Sequence, residues 1–242
     1  MPPELRVIAP TDDYDSERLH QDTVEWDVAN WSLALTYWER HTRLDLSRSL
    51  ALEIGSRHGG LSLWMALKGA TVWCTDVNGP TDDARRKHAR YGTGGRINYR
   101  AVDALHIPFE ECFDLVMFKS VLGAVGAHSN RAAQRAAIAQ MHRSLKPGGE
   151  LFFAENLQAS PIHRFARRAW VPWGQRWRYV TIEEMLENLS EFASVEYGTA
   201  GFLGAFGRGP RQRRWLAGLD QRWVDRMVPA GWRYIVFWVA RK

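Results

Sequence analysis

Between Leu52 and Gly60 the chain reads Leu52-Glu53-Ile54-Gly55-Ser56-Arg57-His58-Gly59-Gly60, and no other stretch constrains the fold as strongly. An apolar, strand-like run carries an acid near its end, glycines turn the chain, and residues 61–67 read as a helix. A strand, a tight glycine loop and a helix present backbone N–H groups that a ligand can approach closely, because glycine has no Cβ to hold it off. These residue types fit a nucleoside-cofactor site of the doubly wound α/β kind.

The rest of the chain continues the same rhythm. Strand-like runs occupy 49–54, 71–75 (ending at Asp76), 97–102 (ending at Asp103), 113–118 and 150–154. Helical patterns lie between them at 61–67, 81–91 and 130–145. Strands alternating with helices at this spacing predict a mainly parallel sheet covered on both faces. Ahead of this core, residues 1–20 read as a poorly ordered lead-in. Residues 23–41 read as one helix carrying Trp26, Trp31, Ala34, Leu35 and Trp38 at three- and four-residue intervals. The last third is different. Residues 161–180 read as a broken helix and a loop around Pro172 and Gly174, and Thr181-Ile182-Glu183-Glu184 is a capping box opening a helix to about Leu189. A sixth strand is expected at 192–197, then a Gly/Phe segment from 198 to 209. The next helix has Pro210 near its start and Leu216, Leu219, Trp223 and Met227 on one face, and a final strand spans 232–240. The predicted organisation is one domain over 1–242: a lead-in and helix (1–48), a core (49–156), and two lid insertions (157–180 and 198–230).

Composition narrows the setting. Apolar residues make up 45% of the chain, ample for a buried core, yet no run approaches the ~20 apolar residues that span a bilayer. No apolar segment of signal-peptide type follows Met1. Cys74 and Cys112 suggest neither a disulfide framework nor metal-ligand spacing, so a cytoplasmic protein without a metal is expected. The net charge of +5 is concentrated after Asn156. Arg164, Arg167, Arg168, Arg176 and Arg178 lie between 160 and 180 with no acid, interleaved with Trp170, Trp173 and Trp177. That pattern reads either as a solvated arginine face over packed tryptophans or as a surface for an anionic or membrane-associated partner.

Three acids close three successive strands: Glu53, Asp76 and Asp103. Strand carboxyl ends are where such sheets place ligands, and a carboxylate about twenty residues after the glycine loop suits a ribose. Further on come Phe113-Asp114-Leu115-Val116-Met117-Phe118 and Leu145-Lys146-Pro147-Gly148-Gly149-Glu150-Leu151. With these pieces in this order, the chain resembles the class I S-adenosylmethionine-dependent methyltransferases over about 49–154 and the last two strands. The resemblance implies a seven-stranded, Rossmann-like sheet and S-adenosyl-L-methionine as cofactor. It implies Gly55, Ser56 and Arg57 at the methionine end with Glu53 beneath its amino group, and Asp76 on the ribose with Val77 against the adenine. Asp103 and Ala104 would take the adenine edge, and Phe118 and Lys119 the far wall. One departure stands out: Arg57 holds the place of the family's middle glycine, where its side chain would either crowd the cofactor or point outward.

For a proton acceptor, Lys119, Glu155 and His163 are the first candidates, with His58 and His128 as loop alternatives. No Asn/Asp-Pro-Pro-aromatic motif and no cysteine follows the fourth strand, which disfavours amino-group and pyrimidine-ring chemistry. Arg211, Arg213 and Arg214 oppose the dipole of the helix they open, so an anion is expected near them. The leading expectation is methyl transfer to a hydroxyl of a small anionic or sugar-containing acceptor, including a lipid-linked glycan. A nucleic-acid methyltransferase using the basic tail, for which no firm signal exists, and a non-catalytic binding protein are the alternatives.

Overall fold

The computed structural model describes residues 16–171 and 176–242. Seven strands form one sheet: β1 (Leu50–Ile54), β2 (Thr71–Asp76), β3 (Ile97–Ala101), β4 (Phe113–Lys119), β5 (Leu145–Asn156), β6 (Ser194–Ala200) and β7 (Ile235–Arg241). Their order is β3-β2-β1-β4-β5-β7-β6. The first five are parallel, and β7 lies antiparallel between β5 and β6. This is the expected doubly wound α/β architecture. Side chains leave alternate faces, so Phe152 enters one core with Trp38 and Met65 while Phe153 enters the other with Phe118 and Trp238.

The core helices follow from their patterns. Helix α4 (Gly60–Leu67) is apolar all round because it is covered on every side, and its residues Gly60 to Ala66 are buried. The Thr81 side chain caps α5 (Asp82–Arg90), Asn130 caps α7 (Arg131–Ser144), and the Thr181–Glu184 capping box opens α9 (Ile182–Asn188). The fifth strand is longer than expected. Helix α7 stops at Ser144, since the following Pro147 disfavours helix, and Leu145 already pairs with Phe113.

Three expectations are corrected. Residues 23–41 are not one helix but α1 (Ser16–Val24), α2 (Val28–Trp31) and α3 (Leu33–His41), broken where Glu25 and Asp27 adopt left-handed φ of 66° and 45°. Tertiary contacts override the helical pattern there: Glu25 pairs with Lys87 at 3.3 Å, and buried Asp27 accepts the Tyr234 hydroxyl. Residues 16–20, expected in the poorly ordered lead-in, belong to α1, while residues 1–15 lie outside the described residues. The third correction concerns the apolar face expected after Pro210. Helix α10 (Pro210–Leu219) passes into a π-helical turn at Asp220–Val224, which rotates the register. Ala217 and Asp220 are buried instead, leaving Trp223 and Met227 exposed. In the first insertion α8 (Pro161–Trp170) is a helix capped by Ser160, while the expected break at Pro172 and Gly174, like Trp173, lies outside the described residues. Among the described residues no helix is long and apolar enough to cross a membrane.

Candidate active site

Because β1 to β4 are parallel, their carboxyl ends meet at one edge. This brings the loop after Ile54 beside Asp76, Asp103 and Lys119. At Gly55 φ is +64°, and a Cβ there would lie 2.5 Å from Val121 Cγ2, so only glycine fits. The loop is fastened to its neighbour by the Ser56 amide, which donates to Thr75 O at 2.8 Å, and by the Arg57 amide, which donates to Asp76 Oδ2 at 2.9 Å. Arg57 holds a left-handed φ of 48°, a conformation that costs a side-chain-bearing residue about 1–2 kcal/mol. Its side chain is exposed, yet Arg57 stands among the residues that line the cavity opening from this loop, and its charge reaches Lys119.

Glu53 is buried beneath this loop. Its carboxylate accepts the Ser62 amide at 2.8 Å, the Leu61 amide at 3.3 Å and the Ser62 hydroxyl, fixing the start of α4 to the end of β1. Burial pushes its carboxyl up to about 7, against the lowering effect of those donors.

A cavity of about 1110 Å³ opens from the loop. Glu53, Gly55, Ser56, Arg57 and Gly60 form its floor, and Lys119, Ser120 and Asn156 its middle. The roof is Thr23, Glu25, Trp26 and Trp31, and the far end includes His163, Arg167, Trp177, Tyr179, Phe206 and Tyr234. The roof approaches so closely that a Cβ on Gly60 would stand 2.0 Å from Thr23 O. Asp76, Val77, Asp103 and Ala104 do not line this cavity; they lie along the same sheet edge at the ends of β2 and β3. Asp76 is half-buried and has one carboxylate oxygen, Oδ1, without a partner among the described residues. Val77 is exposed, Ala104 is buried, and Asp103 accepts the Leu105 amide at 2.9 Å while His106 stands 3.4 Å away.

The catalytic candidates separate clearly. Lys119 lines the cavity with its ammonium 5.0 Å from the Trp31 ring and no hydrogen-bond or ion-pair partner among the described residues. Burial holds its pKa below the ordinary lysine value, opposed by the charges of Glu25, Glu155 and Glu53. Glu155 was expected to face the cleft, but its side chain is fully buried and accepts the amides of Leu122 at 2.8 Å and Asn156 at 2.9 Å. It ties β5 to the chain after β4, and burial pushes it up to about 7.

His163 reaches the cavity wall, yet both ring nitrogens are engaged. Nε2 lies 2.8 Å from Phe202 O and so carries the proton, leaving Nδ1 to accept the Ser160 hydroxyl at 2.7 Å. Burial lowers its pKa, which keeps the ring neutral. Phe118 was expected on the far wall, but the pleat turns its ring into the core, stacked on Phe153 at 4.7 Å. His58 stands 3.2 Å from Thr81 Oγ1, and His128 sits in a turn with φ of 58°. The arginines expected to await an anion are mostly occupied: Arg214 pairs with Glu17, and Arg213 donates to Gly207 O at 2.9 Å and lies over the Trp26 ring.

Among the cavity residues, Tyr179 and Tyr234 escaped the sequence reading. Tyr234, Asp27 and Asn30 form a buried cluster in which Asn30 Nδ2 donates to the Tyr234 hydroxyl at 2.8 Å, and burial pushes Asp27 up to about 6. Asn156 Nδ2 donates to Ser120 Oγ at 3.0 Å, and Arg167 stacks on Tyr179 at 3.9 Å. The only sequence signal for Tyr234 was an aromatic residue at the mouth of the final strand.

The site fits S-adenosylmethionine on its own chemistry. The buried Ser56 hydroxyl lines the cavity with no nitrogen or oxygen partner among the described residues, only the Cys74 thiol being near, and Asp76 offers its free oxygen where the resemblance expects the ribose. Among the described residues no cluster suits a metal ion.

Residues 52–153 match the family described as Methyltransferase domain. A ubiquinone biosynthesis O-methyltransferase of Pseudomonas syringae pv. tomato is 32% identical over 114 residues, covering 46% of this chain and 46% of that protein. The chain thus matches about half the length of such curated relatives. Among solved structures, the MccD protein superposes with a TM-score of 0.58 at 18% identity, covering 87% of this chain and 96% of that one. Haemonchus contortus phosphoethanolamine N-methyltransferase 2 in complex with S-adenosyl-L-methionine gives 0.60 at 17% identity, covering 88% and 52%. At these identities the structural likeness speaks for the fold.

Proposed function

From the premise that this chain belongs, through its 52–153 domain, to the class I S-adenosylmethionine-dependent methyltransferases, we propose that it methylates a hydroxyl oxygen of a small acceptor. The observation that carries this reading is the continuity of the cavity from the Gly55 loop, past Lys119, to the wall made by α8 and Tyr234. At about 1110 Å³ it exceeds the ~300–1,000 Å³ typical of a single-ligand pocket, which leaves room for the methionine end of the cofactor and the acceptor, while the ribose and adenine would lie beyond it along the ends of β2 and β3.

When bound, the cofactor supplies an activated methyl group on a sulfonium with a neutral leaving group. The protein's share is alignment and proton removal. Ser56 and the loop backbone would hold the methionine end, and Asp76 the ribose. Lys119 Nζ, with no competing partner among the described residues and a pKa lowered by burial, would take the proton of the acceptor hydroxyl. Thr23, Glu25, Trp26 and Trp31, from α1, α2 and the turn between them, would limit the access of water on one side.

The acceptor end is aromatic, with Trp26, Trp31, Trp177, Tyr179 and Tyr234 offering faces for a sugar or planar ring. An oxygen acceptor is favoured by the O-methyltransferase name of the Pseudomonas relative. A lipid-linked acceptor, with residues 160–180 touching a membrane surface, is supported by the outer face of α8. There Ile162, Phe165 and Trp170 are 61%, 69% and 72% exposed beside exposed Arg164 and Arg168. The test is calorimetric titration with S-adenosylhomocysteine, followed by an acceptor screen reading cofactor turnover by mass spectrometry. Cofactor binding with turnover on a hydroxylated acceptor is expected; absence of cofactor binding overturns the reading.

A further inference from the structure

A second recess of about 740 Å³ lies against the acceptor end of the reaction cavity, sharing Arg167, Trp177 and Tyr179 with it. Among the described residues four arginines line it, Arg164, Arg167, Arg168 and Arg178, and no carboxylate does. Their pairing is unequal. Arg178 is neutralised by Glu184, with N–O distances of 2.7 and 3.1 Å. Arg167 is largely buried yet meets only neutral oxygens, donating through Nη1 to Leu157 O at 2.6 Å and Gln158 O at 3.1 Å, with Tyr179 stacked on its plane. Arg164 and Arg168 have no acidic partner among the described residues.

A buried cation without a counter-charge is costly, and like charges one turn apart cost a helix a further few tenths of a kcal/mol. Elsewhere the most buried arginine among the described residues, Arg241, pairs with Glu150 and Glu196, while partly buried Arg213 and Arg233 meet neutral oxygens singly. What sets α8 apart is that three arginines without an acidic partner among the described residues, Arg164, Arg167 and Arg168, face one recess.

We infer that the recess binds an anionic group of phosphoryl type carried by the acceptor, placing its reactive hydroxyl in the adjoining cavity. This deepens the proposed methyl transfer and rests on it. Guanidinium forks match phosphoryl oxygens two at a time, while Trp177 and Tyr179 offer ring faces to the portion of the acceptor joining the two sites. The phosphoryl group belongs either to a soluble phosphorylated metabolite or to a lipid headgroup. The chemistry recognised is the same.

The experiment uses the full chain and the double variant Arg164→Gln/Arg168→Gln, whose altered side chains lie outside the cofactor cavity. Inorganic pyrophosphate is titrated calorimetrically at low and high salt, and co-sedimentation is measured with phosphatidylcholine vesicles lacking or containing phosphatidylglycerol. Pyrophosphate binding that weakens with salt and falls at least about tenfold in the variant supports a soluble phosphorylated acceptor. Sedimentation that requires phosphatidylglycerol and is lost in the variant assigns the anion to a headgroup. Binding to neither probe, or binding unchanged in the variant, overturns the inference. S-adenosylhomocysteine affinity is read in the same samples and stays within twofold; its absence in the wild type would overturn the methyltransferase reading instead.

Discussion

Replacing Glu155 by Gln separates a buried structural carboxylate from a catalytic base. The folded protein holds this group at about 7, against 4.5 for the free side chain. Below pH 4.5 it is protonated in both states and stability is unaffected. Between 4.5 and 7 the unfolded chain ionises while the native one keeps the proton, so unfolding releases a proton and stability falls as pH rises. Above 7 both states are ionised and the loss is complete. At ~1.4 kcal/mol per pH unit, the loss from this one fully buried group between pH 5 and pH 8 is about 2–3 kcal/mol. Glu53 and Asp27 are raised in the same sense, while buried His88 and His163, with lowered pKa values, act in the opposite sense at acid pH.

The informative quantity is therefore the difference between wild type and Glu155→Gln, measured by urea denaturation at both pH values. At pH 5 the variant should be less stable by about 1–3 kcal/mol, because one of its two terminal atoms can no longer accept an amide such as that of Leu122 or Asn156. At pH 8 that gap should close by about 2–3 kcal/mol. Parallel pH profiles for the two proteins would refute the reasoning. A drop of 10²–10⁴ in turnover with unchanged stability would return Glu155 to the role of base.

Lys119→Met should lower turnover on an acceptor found by the screen by about 10²–10⁴ while leaving S-adenosylhomocysteine affinity within a few-fold; a large loss of affinity would instead make Lys119 a partner of the cofactor carboxylate. Asp76→Ala should weaken S-adenosylhomocysteine about 10- to 100-fold by calorimetry, since it removes both the ribose acceptor and the anchor of the Arg57 amide. Gly60→Ala, whose Cβ would meet Thr23 O at 2.0 Å, should cost about 1–3 kcal/mol in urea denaturation and loosen the cavity roof, read as weaker S-adenosylhomocysteine binding.

The periodicity of the strands and the short glycine turns made the sheet, its order of elements and its ligand edge legible from the sequence. A parallel right-handed crossover leaves little choice about which end of each strand carries Gly55, Asp76, Asp103 and Lys119. Those features are local: apolar spacing, caps and turn residues lie within a few positions of what they specify. The partners of polar side chains are not local. Glu155 meets the Leu122 amide 33 residues away, and His163 the Phe202 carbonyl 39 away, so a residue type that reads as a base becomes a hydrogen-bonded strut only once the chain closes. The break at Glu25 and Asp27 likewise depends on Lys87 and Tyr234, and the inward turn of Phe118 on the pleat of its strand. Among the arginines the sequence determined only that charge gathers after Asn156. Tertiary structure decided which of them are neutralised: Arg178 meets Glu184 six residues on, but Arg214 reaches Glu17 across 197 residues and half-buried Arg167 meets only carbonyl oxygens, because a carboxylate's position relative to a guanidinium is set by how the elements pack.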